Sequence, residues 1–402
     1  MFSISCNQLD TYGCKDANAC NFNPNANIDD DSCIFFDCNG ECGGSAIDQD
    51  GDNICDDIDD CVGQYDECGV CNGQGIDNGY CQNDLDVLQS IIDQHEHLSG
   101  QNPNQLGAQE WENGRLIFLD LHSHLISILT ESIGNLSELK TLSLYNNQLS
   151  HIPESIGNLV NLTYFNVLSN NLTGRIPGSI GNLTELTYLN LGFNAFSQSI
   201  PDSIGNLTQL TEFYITYNQI TGDIPESIGN LTELTMISLY GNLISGEIPE
   251  SIGNLVNLIS FNAGINQLEG EIPESIGNLV NLERLWLNYN NLSGEVPDSI
   301  CNLTLLNWAP DGFEGEESYL FYNSLCPPYP DCMIDLVGEQ DTSECPELIL
   351  GDVNNDLEVN ILDVVQIATL ILSNEFEYLA DLNQDGVVNV LDITLTVNII
   401  LD

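Results

Sequence analysis

Apolar residues recur along the middle of the chain with a period of about 24 residues, and the polar positions between them keep the same frame. The tetrapeptide Ile-Gly-Asn-Leu begins at positions 133, 156, 180, 204, 228, 252 and 276, and it persists as Ile-Cys-Asn-Leu at 300. Prolines keep the same spacing, at Pro153, Pro177, Pro201, Pro225, Pro249, Pro273 and Pro297. A fixed period of this length predicts a solenoid, because each turn can bury its apolar side chains only against neighbouring turns.

One turn, residues 177–200, shows how the pattern divides between the inside and the outside of the coil. The segment Leu189-x-Leu191 predicts a short strand whose side chains point alternately to the core and to solvent. We expect seven apolar residues of this turn in the core, with the first five pointing inward and the last two on the convex side: Leu183, Leu186, Leu189, Leu191, Phe196, Ile180 and Ile200. Strands of successive turns should then form one parallel sheet on the concave side.

One asparagine per turn follows the predicted strand, and the column is predicted to be buried. Its members are Asn147, Asn170, Asn194, Asn218, Asn242, Asn266 and Asn290. A buried amide without partners costs about 1–3 kcal/mol, so these side chains should bond backbone groups of the turns.

The frame LxxLxxLxLxxNxL, extended by GxIPxxIGNL, resembles the plant-type leucine-rich repeat over about residues 115–308. The resemblance implies an α/β-type solenoid of about eight repeats with a concave parallel sheet, beginning at Leu119-x-Leu121, where His124 replaces the asparagine. Residues 82–114 should cap its start, since 85–98 has apolar residues at helical spacing. Residues 309–346 should cap its end, with two disulfides among four cysteines whose pairing the sequence leaves open: Cys301, Cys326, Cys332 and Cys345.

Two segments near the C-terminus, DVNNDLEVNILD (352–363) and DLNQDGVVNVLD (381–392), align without gaps. Oxygen side chains alternate along each, which is the donor pattern that Ca²⁺ requires. The first loop would supply Asp352, Asn354, Asp356, the Glu358 carbonyl, Asn360 and Asp363. The second would supply Asp381, Asn383, Asp385, the Val387 carbonyl, Asn389 and Asp392.

Each loop runs into an apolar helix, predicted at 364–372 and 393–401, and the pair within 347–402 resembles a type I dockerin. That resemblance implies calcium-dependent folding and docking onto a cohesin. Two features depart from the family pattern. Leu357 stands where the second loop has Gly386, so the first site should be weaker. The helices also lack Lys and Arg, which dockerins often use against cohesin, so a cohesin-like partner is the less secure expectation.

Residues 1–81 hold eleven of the fifteen cysteines, which indicates a disulfide-stapled stalk in an oxidising compartment. The pair Cys68 and Cys71 could instead be half of a zinc site, and Cys6 is the expected unpaired thiol. The segment 13–33 is predicted to be a separate Cys-bounded module. A further calcium loop at 48–59 resembles thrombospondin type 3-like repeats, with an acidic linker as the alternative; its donors would be Asp48, Asp50, Asp52, the Ile54 carbonyl, Asp56 and Asp59.

The net charge of −56 disfavours phosphate backbones and anionic lipid as partners, so we expect no nucleic acid binding. Salt and bound divalent cations would make this charge tolerable, which favours a secreted or cell-surface protein. The sequence shows no apolar run of transmembrane length, so no membrane insertion is expected. It also shows no signal peptide at its start, so we expect the chain to begin inside a longer precursor.

No nucleophile with a neighbouring base stands out, and the five histidines are expected in structural or solvated positions, so the sequence predicts no enzyme. Outward positions of the repeat frame carry ten aromatic residues: Phe118, Tyr145, Tyr164, Tyr188, Phe193, Tyr214, Tyr217, Tyr240, Trp286 and Tyr289. Exposed aromatics suit a protein or glycan ligand, although aromatics also favour strands in general. We therefore expect a recognition protein. The alternative is an accessory component of a polysaccharide-degrading complex.

Overall fold

The strands of the solenoid stack in parallel and in register, so that equivalent residues of successive turns lie side by side. The computed structural model describes residues 10–49, 54–56, 61–66, 68–69, 71, 73, 75–309, 317–345, 349–354, 356–373, 375, 377–383 and 385–401. Among these residues the concave sheet has nine strands: Ala108–Glu112, Arg115–Asp120, Thr141–Ser143, Tyr164–Asn166, Tyr188–Asn190, Glu212–Tyr214, Met236–Ser238, Ser260–Asn262 and Arg284–Trp286. The first pairs antiparallel with the second, and every later pair is parallel.

Short 3₁₀ helices, rather than α-helices, form the convex side of the turns. They span Glu131–Asn135, Glu154–Asn158, Gly178–Asn182, Asp202–Asn206, Glu226–Asn230, Glu250–Asn254, Glu274–Asn278 and Asp298–Asn302. From the second onward, the residue before each is the repeat proline, which begins a turn without needing to donate a backbone hydrogen bond. Shorter 3₁₀ helices lie at Glu96–Leu98, Pro103–Gln105 and Tyr378–Ala380.

Further short strands, which the repeat pattern did not predict, pair beside the concave sheet. One parallel set comprises Thr173–Gly174, Ala195–Gln198, Gln219–Gly222 and Leu243–Ile244. Another comprises Glu269–Gly270, Asn291–Glu295 and Ser324–Cys326. A separate antiparallel pair, Ile76–Asp77 with Tyr80–Cys81, precedes the solenoid. These strands add backbone hydrogen bonds between neighbouring turns.

The core of the solenoid is the predicted apolar column. In the turn 177–200 all seven predicted core side chains are at most 3% exposed, so the prediction is confirmed. The same cluster of buried residues continues without a break from Val87 in the N-terminal cap to Val337 in the C-terminal cap. Each turn therefore closes its core against its neighbours, as the repeat pattern requires.

The asparagine column forms the predicted hydrogen-bonded ladder. The Asn242 amide donates to the carbonyl oxygens of Ile215 and Leu239, each at 2.9 Å, and its oxygen accepts from the Ile220 N–H at 3.1 Å. His124, which replaces the first asparagine, instead donates its backbone N–H to the Asn147 side chain at 3.0 Å. Each asparagine thus links its own turn to the preceding turn.

The N-terminal cap contains helix α1 at Gln82–Asp93, which confirms the helical spacing read in 85–98. An ion pair absent from our sequence predictions fastens it: the buried Asp84 carboxylate accepts from Arg115 Nε at 3.1 Å and from the Leu116 N–H at 2.8 Å. Arg115 also donates to the Cys68 carbonyl at 3.2 Å. This one arginine therefore holds together the stalk, the cap and the first repeat.

The C-terminal cap continues the ladder for one more step. Asn323 donates to the carbonyls of Leu287 and Leu320, at 3.0 and 2.8 Å, and accepts from the Leu292 N–H at 3.0 Å. The signal was present in the sequence, because Leu320–Leu325 reads LxxNxL within a region predicted only as a cap. Disulfides Cys301–Cys332 and Cys326–Cys345 close the end and select one of the three open pairings.

Five disulfides staple the described part of the stalk: Cys14–Cys33, Cys20–Cys42, Cys38–Cys55, Cys61–Cys71 and Cys68–Cys81. The zinc alternative is wrong, since Cys68 and Cys71 are both in disulfides. The prediction of a separate module at 13–33 is also wrong, because Cys20 is bonded outside it. Cys6, the predicted spare thiol, lies outside the described residues.

The glycine of each Ile-Gly-Asn-Leu segment leaves room for the next turn. A Cβ at Gly253 would lie 2.6 Å from both the carbonyl oxygen and the Cβ of Ser275, whereas a Cβ at Gly178 would meet nothing within 4 Å. We expect Gly253→Ala to lower the free energy of unfolding by about 1–3 kcal/mol, because it overpacks an inter-turn contact. Gly178→Ala is the matched control and should be neutral or stabilising by about 0.5 kcal/mol. Urea denaturation measures both, and equal effects would contradict this account of the glycine column.

Candidate calcium loops and concave face

Buried carboxylates organise the first C-terminal loop. Asp352 is 2% exposed, and its two oxygens accept the N–H groups of Asp356 at 3.1 Å and Leu357 at 2.7 Å. Asp363 is fully buried and accepts from the N–H groups of Val353 at 2.8 Å and Asn360 at 2.8 Å. The chain therefore bends around these two carboxylates, as a closed oxygen-lined loop requires.

The second loop repeats this geometry. Asp381 accepts from the N–H groups of Asp385 at 3.2 Å and Gly386 at 2.8 Å. Asp392 accepts from those of Asn383 at 3.3 Å and Asn389 at 2.8 Å. Asp381 is 4% exposed and Asp392 is fully buried. The two loops thus share one template, in which backbone N–H groups of the loop converge on its first and last carboxylates.

Leu357 takes the backbone conformation of the glycine it replaces. Its φ is 71°, and φ of Gly386 is 80°. A left-handed conformation costs a residue with a Cβ about 1–2 kcal/mol, and the Leu357 side chain is 66% exposed and offsets little of that cost by burial. Weaker calcium binding at the first loop stays a prediction, and the backbone strain at Leu357 is its expected physical cause.

The helices that follow the loops are α2, Ile361–Ser373, and α3, Val390–Leu401. Each begins three residues earlier than predicted, so that Asp363 and Asp392 lie in the first helical turn, where a negative charge is favoured. Val353, Ile367 and Ala380 form a small core between them. The loops are therefore held by a compact helical pair.

The donor set fits calcium. Each loop buries two carboxylates, yet residues 350–401 contain no Lys or Arg that could neutralise them. Buried charges without partners are costly, so a bound divalent cation with oxygen ligands is the group that this chemistry calls for. Carboxylate, amide and backbone oxygens are available in each loop, and such a cation would cross-link the loop to its helix.

The N-terminal loop is described only in part. Asp50, Asp52 and Asp59 lie outside the described residues, so the structure describes only Asp48, Ile54 and Asp56 of the six predicted ligand residues. Asp56 accepts from the Gln49 N–H at 2.8 Å, and its own N–H donates to the Ile47 carbonyl at 2.8 Å. Asp48 and the Ile54 carbonyl stay predictions. The neighbouring Cys55 is fixed to Cys38.

Five of the ten aromatics lie on strands of the concave sheet. Phe118, Tyr164 and Tyr188 occupy one register column, and Tyr214 and Trp286 occupy the column two residues further along the strands. The remaining five were predicted at outward positions of the strand region but follow the strands: Tyr145 and Tyr240 by two residues, Phe193, Tyr217 and Tyr289 by three. The last three have positive φ and stand on the rim of the sheet.

Three tyrosines of the sheet form a continuous row across three turns. The rings of Tyr164 and Tyr188 stack 4.4 Å apart with planes at 9°, and the Tyr214 ring follows 5.8 Å from Tyr188, tilted by 50°. Asn166 and Asn190 lie two residues further along the same strands and donate to the hydroxyls of Tyr164 and Tyr188 at 3.2 and 3.0 Å. The concave face therefore presents ring edges, hydroxyls and amides.

Burial and neighbouring groups raise the pKa of several tyrosines. Burial raises the pKa of Tyr214, and the Glu212 carboxylate, which accepts its hydroxyl proton at 2.8 Å, raises it further. Burial, together with the hydrogen bond that its hydroxyl shares with Tyr217, raises the pKa of Tyr240 to about 12. Both hydroxyls thus remain neutral donors across the physiological range.

We expect Tyr240 to resist ionisation in the folded protein. A tyrosine of the unfolded chain loses its proton near pH 10, so the folded state holds the proton more tightly. Its contribution to stability is then fully present below about pH 10 and is lost as the pH rises towards 12. Tyrosinate absorbance, titrated in the wild type and in Tyr240→Phe, should lose a component near pH 12 in the variant. Loss of a component near pH 10 would contradict this assignment.

A cleft of about 620 Å³, absent from our sequence predictions, opens at the first turn between residues 100–108 of the cap and Asp120, His122 and His124. The His122 ring donates from Nδ1 to the Asp120 carboxylate at 2.9 Å and stacks on Tyr145, with the ring centroids 4.7 Å apart. Burial raises the pKa of Asp120, but hydrogen bonds from His122 and Ser143 outweigh it and hold that pKa below its usual value. The sequence signal for this cleft was the pair His122 and His124, which occupy alternate outward positions of the first turn.

Stacked parallel strands, an asparagine ladder and a C-terminal pair of loop–helix units define a leucine-rich repeat protein with a calcium-loop module. Family models agree with this: residues 111–223 match a leucine-rich repeat region, and 233–255 and 281–303 match single leucine-rich repeats. Residues 350–401 match the type I dockerin domain, a family that binds calcium. The chain therefore carries plant-type leucine-rich repeats and a type I dockerin domain.

Solved structures with similar repeats come from plants and bacteria. A plant peptide hormone receptor, RGFR1 in complex with RGF2, is 38% identical over 50% of this chain and 31% of its own, with a TM-score of 0.46. The Arabidopsis receptor kinase HAESA, in complex with the peptide hormone IDA and the co-receptor SERK1, is 29% identical over 61% and 46%, with a TM-score of 0.49. A leucine-rich repeat protein of Leptospira interrogans is 30% identical over 51% and 48%, with a TM-score of 0.43.

This chain spans less than half of the length of each of those three proteins. A search of curated protein sequences gives no significant match. In the described part of the chain, none of the helices has the length and apolar character needed to cross a bilayer.

Proposed function

We propose that this chain is an extracellular, non-catalytic recognition protein. It binds a protein or glycan on the aromatic concave face of its repeats, and its dockerin attaches it to a partner in a calcium-dependent way. The observation that carries the proposal is the stacked row Tyr164, Tyr188 and Tyr214, which runs across three turns of an otherwise regular sheet. Aromatic side chains supply large contact areas at low entropic cost, which is why they concentrate at binding surfaces.

The ligand-binding side chains in this proposal are those of the ten aromatic residues predicted from the sequence. Five stand on the strands and five follow them, and together they extend from the first turn to the last. Glu212, whose carboxylate accepts from Tyr214, adds a negative group near the centre of the row. The face therefore combines apolar contact area with donors and acceptors that can orient a ligand.

The calcium ligands of the proposal are the six donors of each C-terminal loop. They are Asp352, Asn354, Asp356, the Glu358 carbonyl, Asn360 and Asp363 in the first, and Asp381, Asn383, Asp385, the Val387 carbonyl, Asn389 and Asp392 in the second. The buried carboxylates and the lack of any cationic side chain in 350–401 support this set. Calcium would fix each helix to its loop and so present the outer faces of α2 and α3.

Those outer faces are apolar, which supports attachment through the dockerin. Leu362 and Val365 of α2 are 60% and 59% exposed, and Leu391 and Ile399 of α3 are 51% and 49% exposed. Exposed apolar patches of this kind mark protein contacts. A cohesin is the partner class that the family match favours, and a cohesin pulldown with and without chelator tests this attachment. Capture that persists after chelation, or no capture with calcium, would contradict it.

Replacing Tyr188, Tyr214 and Trp286 together with Ala tests the concave face. Ligand binding should fall at least about tenfold, because these rings supply the central contact area. The matched control replaces Val160, Val256 and Val280 with Ala; these side chains are 49%, 46% and 52% exposed and lie between a convex 3₁₀ helix and the strand that follows it. Unchanged binding by the folded triple variant would argue against the proposal.

The second candidate is an accessory role in a polysaccharide-degrading complex, which the dockerin match favours. In that role the dockerin would dock on a scaffold and the aromatics would touch glycan. Glycan-array binding that disappears in the triple aromatic variant, combined with cohesin capture, would select this candidate over a protein-recognition role.

A further inference from the structure

One residue of each turn, immediately before the ladder position, has a left-handed backbone. The values of φ are 58° at Ser123, 56° at Asn146, 56° at Ser169, 52° at Phe193, 51° at Tyr217, 69° at Gly241, 52° at Ile265, 54° at Tyr289 and 56° at Tyr322. Glycine and asparagine suit this conformation, and a β-branched or bulky residue is an outlier in it. Four turns thus use small residues, and five use residues that the backbone disfavours.

The five bulky residues are also largely exposed. Exposed fractions are 52% for Phe193, 46% for Tyr217, 39% for Ile265, 38% for Tyr289 and 44% for Tyr322. We call these five the rim strip. Burial within the chain therefore offsets only part of the backbone strain. Strained positions that persist on a surface cluster at binding sites, since the bound partner supplies the missing contacts.

The rim strip is continuous with further aromatic contacts. Phe193 and Tyr217 lie 4.8 Å apart, and Tyr217 lies 5.2 Å from Tyr240 on the concave side. Tyr289 and Tyr322 lie 4.6 Å apart. Leu243, two residues after the small Gly241, is 43% exposed and adds an apolar side chain in the turn between Tyr217 and Ile265. Apolar contact area thus extends along one edge of the sheet from Phe193 to Tyr322.

Ring geometry decides which class of partner suits this edge. A sugar stacks on a free, flat ring face, but Tyr164 and Tyr188 cover each other's faces at 4.4 Å. Rim rings are tilted against their neighbours, by 51° between Phe193 and Tyr217 and by 87° between Tyr217 and Tyr240. Successive rings therefore present a ridge of edges and corners, against which apolar side chains of a polypeptide can pack.

Charge decides the composition of that polypeptide. The chain carries −56 overall, and Glu212 places a carboxylate on the strand that precedes Tyr217. Tyrosine rings also attract Lys and Arg through the negative electrostatic potential of their faces. A basic segment would therefore be steered to this edge and held there, whereas an acidic one would be repelled.

We propose that the rim strip is the docking surface for a basic, apolar-rich polypeptide segment of a partner protein. The proposal rests on the proposed recognition function and assigns its partner class and its principal contact. The segment lies along the rim from turn to turn, packs its apolar side chains on Phe193, Tyr217 and Ile265, and turns its cationic groups towards the sheet.

The chain itself supplies conservative test substitutions. The rim variant carries Phe193→Ser, Tyr217→Asn and Ile265→Gly, and each new residue already occupies the same position in another turn, as Ser169, Asn146 and Gly241 do. These changes relieve backbone strain, so the variant should fold and melt at or above the wild-type temperature. The Val160, Val256 and Val280 variant described above serves as the control for loss of exposed apolar surface.

The probe is a phage-displayed library of random peptides, selected on the calcium-loaded protein and followed by synthesis of the selected peptides. We expect peptides rich in Lys, Arg and apolar residues, whose affinity falls at least about tenfold in the rim variant and less than about twofold in the control. Peptide binding lost only in the Tyr188, Tyr214 and Trp286 variant would overturn the rim proposal and leave the proposed function standing. Binding to the glycan array alone, or binding to neither the peptides nor the glycan array, would also overturn it.

Discussion

Removal of calcium is expected to unfold residues 350–401 and to loosen 44–62, while the solenoid keeps its structure. The dockerin buries four carboxylates and lacks any Lys or Arg, so without metal only backbone N–H groups bond these charges and no positive charge neutralises them. Its own apolar core is small, with Val353, Ile367 and Ala380 at its centre. Binding free energy of the metal is therefore largely folding free energy. Calorimetry with and without chelator should show the dockerin transition disappear and the solenoid transition stay.

Variants within the loops assign the effect to particular ligands. Asp363→Ala removes a buried carboxylate and should abolish binding at the first loop. Glu358→Gln is the matched control, since only its backbone carbonyl is proposed as a ligand. Leu357→Gly should strengthen the first site by about fivefold to thirtyfold, the equivalent of the 1–2 kcal/mol of strain that it relieves. Identical melting of the wild type with and without chelator would refute the calcium dependence.

Asn242→Ala is expected to destabilise the solenoid by about 1–3 kcal/mol. The side chain makes three hydrogen bonds inside the stack, and its removal leaves the Ile220 N–H without a partner, whereas the Ile215 and Leu239 carbonyls keep the Asn218 and Asn266 amides as donors. Each buried group left unsatisfied costs about 1–3 kcal/mol, and the new side chain cannot compensate. Because Asn242 bonds the preceding turn through both Ile215 and Ile220, the interface between these two turns weakens. Urea denaturation followed by circular dichroism measures the change.

Asn254→Ala is the matched control for that substitution. Asn254 belongs to the Ile-Gly-Asn-Leu segment of the next turn, and its side chain is exposed on the convex surface. Its replacement should change the free energy of unfolding by less than about 0.5 kcal/mol. Similar losses in the two variants would show that the ladder contributes no more than a surface asparagine.

The regular part of the fold could be predicted because one physical requirement repeats. Leu189, Leu191 and Asn194 each recur every turn, so the inward column, the strand and the ladder all follow from a single frame. The calcium loops could be predicted for a similar reason, since two copies of one donor pattern confirm each other. Asn323 shows the limit: its LxxNxL segment fits the frame, but an irregular stretch of chain separates it from the previous turn.

Contacts between distant segments could not be predicted. Asp84 and Arg115 look like ordinary charged residues in the sequence, and only the packing of helix α1 against the first strand brings them to 3.1 Å. Backbone conformation was equally hidden at the rim. The repeat pattern places Phe193 and Tyr217 on the sheet. The backbone at these two residues, just before the ladder asparagine, is left-handed, and this moves their side chains to the edge.

The distribution of disulfides has a consequence for how the stack comes apart. An interior turn contacts two neighbours, but a terminal turn contacts one, so fraying starts at the ends. Covalent bonds lie at those ends: Cys68–Cys81 precedes helix α1, and Cys301–Cys332 and Cys326–Cys345 hold the last turns. Residues 82–300 contain no cysteine. A reductant would therefore let the solenoid unfold inward from its two ends, while the hydrogen bonds and packing of every middle turn stay unchanged.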